Sequence, residues 1–373
     1  MVQIQSKKPL LQRRHTDENR YPEDNNNDTK FVSYNRSLDT GLRWYDGAKF
    51  YIQFTCVQVA ARITTWEIMM VDTFHDGERA LQERTGEQDM AARNARLIID
   101  HIPANARIFI SKQVYCAIGS ASPDGQIWAS FMLGQHEFAS TNEDGTSLYL
   151  QLPRKQEKSA TLPPLKDLQP GNHIALLFIE LATRRRLRIN GKLIKIANGV
   201  LHLAVAEVYP NCPKYIQRRK LQFLHVSQSD FDVQTGKTLT EKLETWINNA
   251  DTFFVASAHI KGQADVSHRG GKPGFVKIKN GVLHIPDYPG NSMFGTLGNF
   301  FTNPQAGLVF VDFKNNRQLQ LSGQVRLDIM ADEKTGNTGG TGRWWIFLTK
   351  KWFISALGKP VAWQLIDTSP HNP

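Results

Sequence analysis

What most constrains the fold of this chain is that one pattern occurs in it twice. Residues 117–134 (AIGSASPDGQIWASFMLG) align without a gap on 254–271 (FVASAHIKGQADVSHRGG), an offset of 137 positions. Ser120, Ala121, Gly125, Gln126, Ser130 and Gly134 fall on Ser257, Ala258, Gly262, Gln263, Ser267 and Gly271. Further along, 176–193 (LLFIELATRRRLRINGKL) aligns on 308–325 (LVFVDFKNNRQLQLSGQV), an offset of 132. There Leu176, Phe178, Arg185, Leu187 and Gly191 fall on Leu308, Phe310, Arg317, Leu319 and Gly323, and Glu180 falls on Asp312. The spacing is far too long for a solenoid. It predicts one small β domain, duplicated and fused. Any site should lie where the halves face each other or survive in only one of them.

A chain of 373 residues, 40% hydrophobic, has room for two domains with sizeable cores and a tail. Cys56, Cys116 and Cys212 are scattered, with no CxxC pair, which argues against a disulfide framework or a structural zinc site. No basic-then-apolar segment opens the chain. Its longest core-like run, Ile174 to Ala182, is about half of the ~20 residues a membrane span needs. The expectation is a soluble cytoplasmic protein. The net charge of +10 is spread over short clusters such as Arg184-Arg185-Arg186 and Arg218-Arg219-Lys220. No nucleic-acid motif accompanies them, so an anionic small ligand is the expected partner, with no nucleic acid and no membrane.

Residues 1–42 are polar and poor in apolar side chains, which predicts a disordered tail. Residues 43–240 are expected to hold the first copy and 241–373 the second. Asp76 to Asp100 reads as helical, with Ala80, Leu81, Ala91, Ala95, Leu97 and Ile98 as core candidates, and a short helix is expected at 104–112. Alternating and apolar runs predict strands at VYCAIGSA and IWASFML with a turn at Pro123-Asp124-Gly125, and hairpins at 173–181 with 185–194 and at 306–313 with 317–328. A helix is expected at 241–250, and another short one within 291–303. Many short antiparallel strands with few helices favour small barrels: a mainly β fold with minor α.

Four strings carry a resemblance: FHDGERALQERTG (74–86), VYPNCPKYIQRR (208–219), ADVSHRGGKPGFV (264–276) and DYPGNSMFGTLGNFFTNPQAGLVFVDF (287–313). They resemble the pyridoxamine 5′-phosphate oxidase-related family of FMN-binding split barrels, in its tandem-barrel, flavin-nucleotide-binding branch. The resemblance covers about 74–330. It implies two tandem split β-barrels, with FMN where barrels pair, either as an internal pseudo-dimer or as a homodimer of chains. It also implies an FMN-dependent oxidoreductase passing hydride or electrons through the flavin, with a small-molecule substrate. The enzyme that names the family is a single-barrel homodimer, so its own reaction is not expected here.

FMN presents a phosphate, a ribityl chain and an apolar ring. The stretch SHRGGKPGF offers Ser267 as a hydroxyl donor, His268, Arg269 as a guanidinium fork and Lys272 as a further charge; Gly270 and Gly271 admit close backbone approach. Asn291, Thr296 and Asn299 are the ribityl-side candidates. Thr296 and Asn299 occupy positions resembling the family's Lys-x-x-Asn element, with Thr in place of Lys. The same stretch also reads as a polar hairpin with solvated charges. The first copy carries Phe131 and Met132 where the second carries His268 and Arg269, so it is expected to be degenerate, with Trp128, Phe131 and Met132 either core residues or walls for the ring. Pro213 predicts a helix start near Asn211 and Cys212, from which Lys214, Tyr215 and Arg218 could face the cleft. His75 and Glu78 read as a helix-start pair and not as metal ligands.

No Ser-His-Asp set, P-loop or HExxH occurs, and no GxGxxG follows a strand. An oxidoreductase built this way needs a separate electron donor. Two other readings use the same residues: a flavin carrier, store or sensor without turnover, and a split barrel holding deazaflavin or haem.

Overall fold

The computed structural model describes residues 73–154, 158–225, 231–329 and 337–373, all within one compact unit. The expected tail at 1–42 and residues 43–72 lie outside the described residues. Three helices lead in: α1 (Asp76–Thr85), α2 (Gln88–Ala95) and α3 (Ala104–Ser111). Seven strands follow: β1 (Tyr115–Ala121), β2 (Ile127–Leu133), β3 (Ala139–Thr141), β4 (Ser147–Gln151), β5 (His173–Glu180), β6 (Arg185–Ala197) and β7 (Val200–Pro210). After β8 (Arg218–Phe223) and β9 (Gln234–Gly236) comes α4 (Glu241–Asn249), then β10 (Thr252–Ala258), β11 (Ala264–Gly270), β12 (Lys277–Lys279) and β13 (Val282–Pro286). The chain ends with α5 (Gly295–Thr302), β14 (Gln305–Asp312), β15 (Arg317–Asp328), β16 (Trp344–Ala356) and β17 (Val361–Asp367).

The protein is mainly β. One sheet runs β2-β1-β5-β6-β7-β4-β3 and the other β11-β10-β14-β15-β16-β13-β12, the same order strand for strand. The sequence offsets reappear as geometry: β1 and β2 map onto β10 and β11 at 137, and β5 and β6 start 132 positions before β14 and β15. All pairings are antiparallel. Gly191 and Gly323 sit at equivalent register shifts, and a Cβ at either would overlap a carbonyl of the next strand, so only glycine lets β6 and β15 bend there.

Alternation along the strands builds three cores from two sheets. Cys116 and Ile118 of β1 join Leu176, Ile189 and Leu203 inside the first barrel. Phe253 and Val255 of β10 join Leu308, Leu321 and Phe347 inside the second. The opposite faces, Ala117, Ala129, Phe131 and Leu177 on one side and Phe254, Ala256, Val266 and Val309 on the other, form a third core that joins the halves. The central strands are therefore buried on both faces and read as nearly continuous apolar runs. At Gly307 the backbones almost touch: a Cβ there would lie 2.5 Å from Cα of Trp128. Carbonyls on the outer strands are answered across the seam, Ala129 by Gln320 Nε2 at 2.8 Å and Val266 by Arg188 Nε at 2.9 Å.

Three expectations need correction, and one pairing lies outside them. The single helix over 76–100 is broken at Gly86, whose φ of 68° closes α1, and Leu97 is exposed. No helix starts at Pro213: the segment after β7 is a turn in which Tyr215 takes φ 67°. β9 lies before residue 241 yet pairs with β16, so the second sheet begins earlier than expected. Finally, β17 returns to pair with β8, a two-stranded ribbon whose Leu221, Phe223, Val361 and Trp363 pack on the joining core.

Candidate functional site

The two halves leave a cleft on one side of their seam, with about 880 Å³ of empty space counted to its open mouth. Its first-half wall comes from β6. Leu187 and Ile189 point into the first core, so Arg186 and Arg188 face the other way and line the cleft. Asn211, Cys212 and Tyr215 extend this wall. The second-half wall comes from β11 and the segment entering α5. Three non-glycine residues of the lining, Tyr215, Ser292 and Phe294, hold positive φ, from 60° to 67°. Backbone of this kind persists where surrounding contacts enforce it, often at ligand sites.

Most of the charge around the cleft is already answered. Arg269 donates to Asp287 at 2.8 Å; Arg343 bridges Asp287 at 2.9 Å and Glu87 at 2.6 Å. Arg188 is buried, held by Asp265 at 2.9 Å and by the Tyr209 hydroxyl at 2.6 Å. Arg186 differs. Its Nε and Nη2 donate to the Cys212 carbonyl, at 2.9 and 2.6 Å, and Nη2 also reaches the Cys212 thiol at 3.9 Å. Among the described residues no carboxylate pairs with it. Burial, with Arg188 and Arg269 adding like charge, pulls its guanidinium down to about 10, still charged at neutral pH. Behind the wall Arg188 serves a buried acidic group. Burial raises the Glu207 carboxyl and pushes that of Glu78 up to about 8.

Of the residues singled out from sequence, Ser267, His268, Arg269, Gly270, Asn291 and Thr296 line the cleft; Lys272 and Asn299 do not. Ser267 and Thr296 hydroxyls bond each other at 2.8 Å, and Thr296 reaches Asp265 at 3.2 Å. Asn299 sits behind them, donating to Ser257 at 3.0 Å. His268 is buried against Phe254, and neither ring nitrogen has a partner; Arg269 Nε is likewise unmatched. Burial, reinforced by Arg186 and Arg269, holds His268 well below its ordinary pKa and therefore neutral. Arg218 turns away to Asp367 and the Ala182 carbonyl. The helical segment closes one end of the cleft: Asn94 and Gln82 donate to the carbonyls of Asn291 and Met293, and Glu87 accepts from Ser292.

Sequence reasoning missed the first-half wall. Arg186 is hidden inside a triple-arginine cluster that reads as solvated. The signal is present in the 132 offset, which sets Arg186 and Arg188 on Gln318 and Gln320. In the place equivalent by that offset the second half uses those amides to bond the Phe131 N–H and the Ala129 carbonyl. Trp128 packs with Leu162 and Phe353, while Phe131 lies in the joining core and Met132 in the first core. The first copy's aromatic residues are core, not walls of the cleft.

Two other places gather chemistry-bearing side chains. A wider groove beside α4 holds Arg219 and Arg317, but both are paired, with Asp251 and Asp312. Arg317 lies over Trp246 at 5.3 Å, as Arg185 lies over Phe109 at 5.3 Å in the first half, so this arrangement belongs to the fold. His75, Asp76 and His259 come within metal-binding distance of one another. However, His75 Nδ1 accepts from the Gly77 and Glu78 N–H groups as the cap of α1, and His259 Nδ1 accepts from Lys261. Both Nε2 atoms then carry the protons, and that of His259 meets Asp76 at 2.8 Å. The cluster is a hydrogen-bonded clasp between α1 and the β10–β11 turn, with no imidazole lone pair left for a cation.

Among the described residues no helix is long and apolar enough to cross a membrane. No protein-family model matches the chain, and no curated protein matches it. Solved structures similar to parts of it include HupZ of Group A Streptococcus (16% identity, 31% of this chain and 98% of that one, TM-score 0.26). A putative pyridoxamine 5′-phosphate oxidase from Lactobacillus delbrueckii shares 13% identity over 31% of this chain and 93% of its own, TM-score 0.26. The heme storage protein HutZ of Vibrio cholerae shares 10% identity over 33% and 97%, TM-score 0.23. The chain's own strand order, repeated in its two sheets, defines the fold.

Proposed function

We propose that the chain binds FMN in this cleft and acts as a flavin-dependent oxidoreductase on a small molecule, with electrons from a separate donor. The supporting observation is the composite lining: guanidiniums from the first half face a polar and aromatic wall from the second, which leaves His268 with two buried, unmatched nitrogens. Such atoms are costly unless a ligand answers them. The donor set suits the parts of FMN. Arg186 and Arg269 would hold the phosphate, Asn291 and Ser292 the ribityl hydroxyls, and Phe275, Tyr288 and His268 the ring edge. The bound flavin would supply the hydride or electron chemistry.

The chain's own residues hold and orient; none is set up to move a proton. The two lining carboxylates, Glu87 and Asp287, are both tied to Arg343. That favours, as a second reading, a flavin carrier, store or sensor. An absorption spectrum of the purified protein, with mass analysis of whatever denaturation releases, tests the proposal. Two flavin bands and released FMN support it; a Soret band, deazaflavin, or a colourless protein that takes up no added FMN removes it. Bleaching by NAD(P)H, alone or with a reductase, would separate the oxidoreductase from the carrier.

A further inference from the structure

We propose that Arg186, supplied by the first half, is the residue that selects a phosphorylated ligand over its unphosphorylated counterpart in this cleft. The inference rests on the cleft being a ligand site and assigns the discrimination between a phosphate and a hydroxyl there to one side chain. Four guanidiniums line or border the space. Arg269 and Arg343 share Asp287, Arg343 also takes Glu87, and Arg188 takes Asp265. Of these four, Arg186 alone answers no carboxylate among the described residues. Its partners are one carbonyl oxygen and a distant thiol, and it lines the cleft.

The unrelieved positive charge of the site is therefore concentrated at Arg186, beside Arg188 and Arg269. An incoming dianion gains a charge-assisted fork there and relieves like-charge crowding at the same time. A phosphate monoester fits this better than a neutral hydroxyl, which leaves the crowding in place. The counterpart position supports the assignment. Where the second half carries Gln318, the side chain is turned to the Phe131 N–H, and Phe131, which stands in the place of His268, is part of the joining core. Glutamine at this position is also compatible with the strand.

The test uses the full chain and Arg186→Gln, with Arg186→Lys as a second variant, titrated with FMN and with riboflavin by quenching of flavin fluorescence. Thermal shift with inorganic phosphate alone probes the anion position apart from any flavin. The expected result is that wild type prefers FMN, and that Arg186→Gln loses about ten- to a hundred-fold of FMN affinity while riboflavin binding barely moves. Arg186→Lys should keep part of the preference. Phosphate should raise the melting temperature of wild type and not that of Arg186→Gln. If Arg186→Gln keeps the FMN-to-riboflavin ratio, or phosphate protects both proteins equally, the assignment is overturned. If wild type binds neither flavin while phosphate protection still depends on Arg186, the flavin reading fails and the anion site stands.

Discussion

Arg188→Gln is the perturbation that reaches deepest into the joint between the halves. The Arg188 side chain is 8% exposed and makes three polar contacts at 2.9 Å or less: Asp265, the Tyr209 hydroxyl and the Val266 carbonyl. Gln320 shows that an amide at the equivalent position can still bond the facing carbonyl. The substitution therefore preserves the backbone contact and removes the charge, stranding Asp265 beside Glu78 and Glu207. Losing one partner of a buried ion pair costs about 3–5 kcal/mol. Without Arg188, which now lowers Glu78 and Glu207, both carboxyls move further up from values that burial has already raised. Carboxyls with raised folded pKa values contribute stability below their unfolded value and lose it as pH rises through the folded one. Urea unfolding should show the full loss near pH 8 and a smaller one near pH 5. Arg188→Gln/Asp265→Asn should recover more than half of it. A loss under about 1 kcal/mol, or no recovery in the double variant, would refute the charge argument.

Further expectations concern single groups. Glu78, raised from 4.5 to about 8, keeps a proton in the folded protein that the unfolded chain releases, so stability falls between those pH values. Glu78→Gln, which still accepts from His75 N–H, should flatten that fall, whose slope is at most about 1.36 kcal/mol for each step of one in pH; urea midpoints from pH 5 to 9 check it. His268, held neutral, makes stability decline as pH drops below 6.5 toward its depressed folded value. His268→Phe, the residue of the first copy, should remove that acid sensitivity, as melting temperatures from pH 7 to 5 would reveal. Gly307→Val forces side-chain atoms into the Trp128 backbone and should cost about 1–3 kcal/mol, with flavin affinity falling as the halves separate. A neutral thermal melt would rule that contact out.

The paired strands are legible because both faces of β1, β5, β10 and β14 are buried. Selection for apolar packing on both faces leaves long, alignable strings. The hairpin connections and α3, α4 and α5 follow from turn chemistry and periodicity. Gly86 does not stand out as a stop because α1 and α2 share one polarity pattern across it. The 211–216 turn is ambiguous because Pro213 suits a helix start and a turn equally. On the site, Ser267 to Gly270, Asn291 and Thr296 lie close in sequence to one another, and they meet in the cleft. Arg186 and Arg188 lie about eighty positions earlier, and only strand parity together with the fold brings them opposite. Lys272 follows the end of β11 and does not face the cleft. Asn299, on the far face of α5, supports the wall from behind.

The most direct test of a single composite site is stoichiometry. The chain, stripped and then saturated with FMN, should bind one flavin per polypeptide, because the first copy's Phe131 and Met132, in the places of His268 and Arg269, are core residues. One FMN per chain, bound about ten- to a hundred-fold more weakly by Arg186→Gln and with unchanged affinity by Trp128→Phe, is the predicted result. Two per chain, or one whose affinity is unchanged in Arg186→Gln and falls in Trp128→Phe, would contradict it.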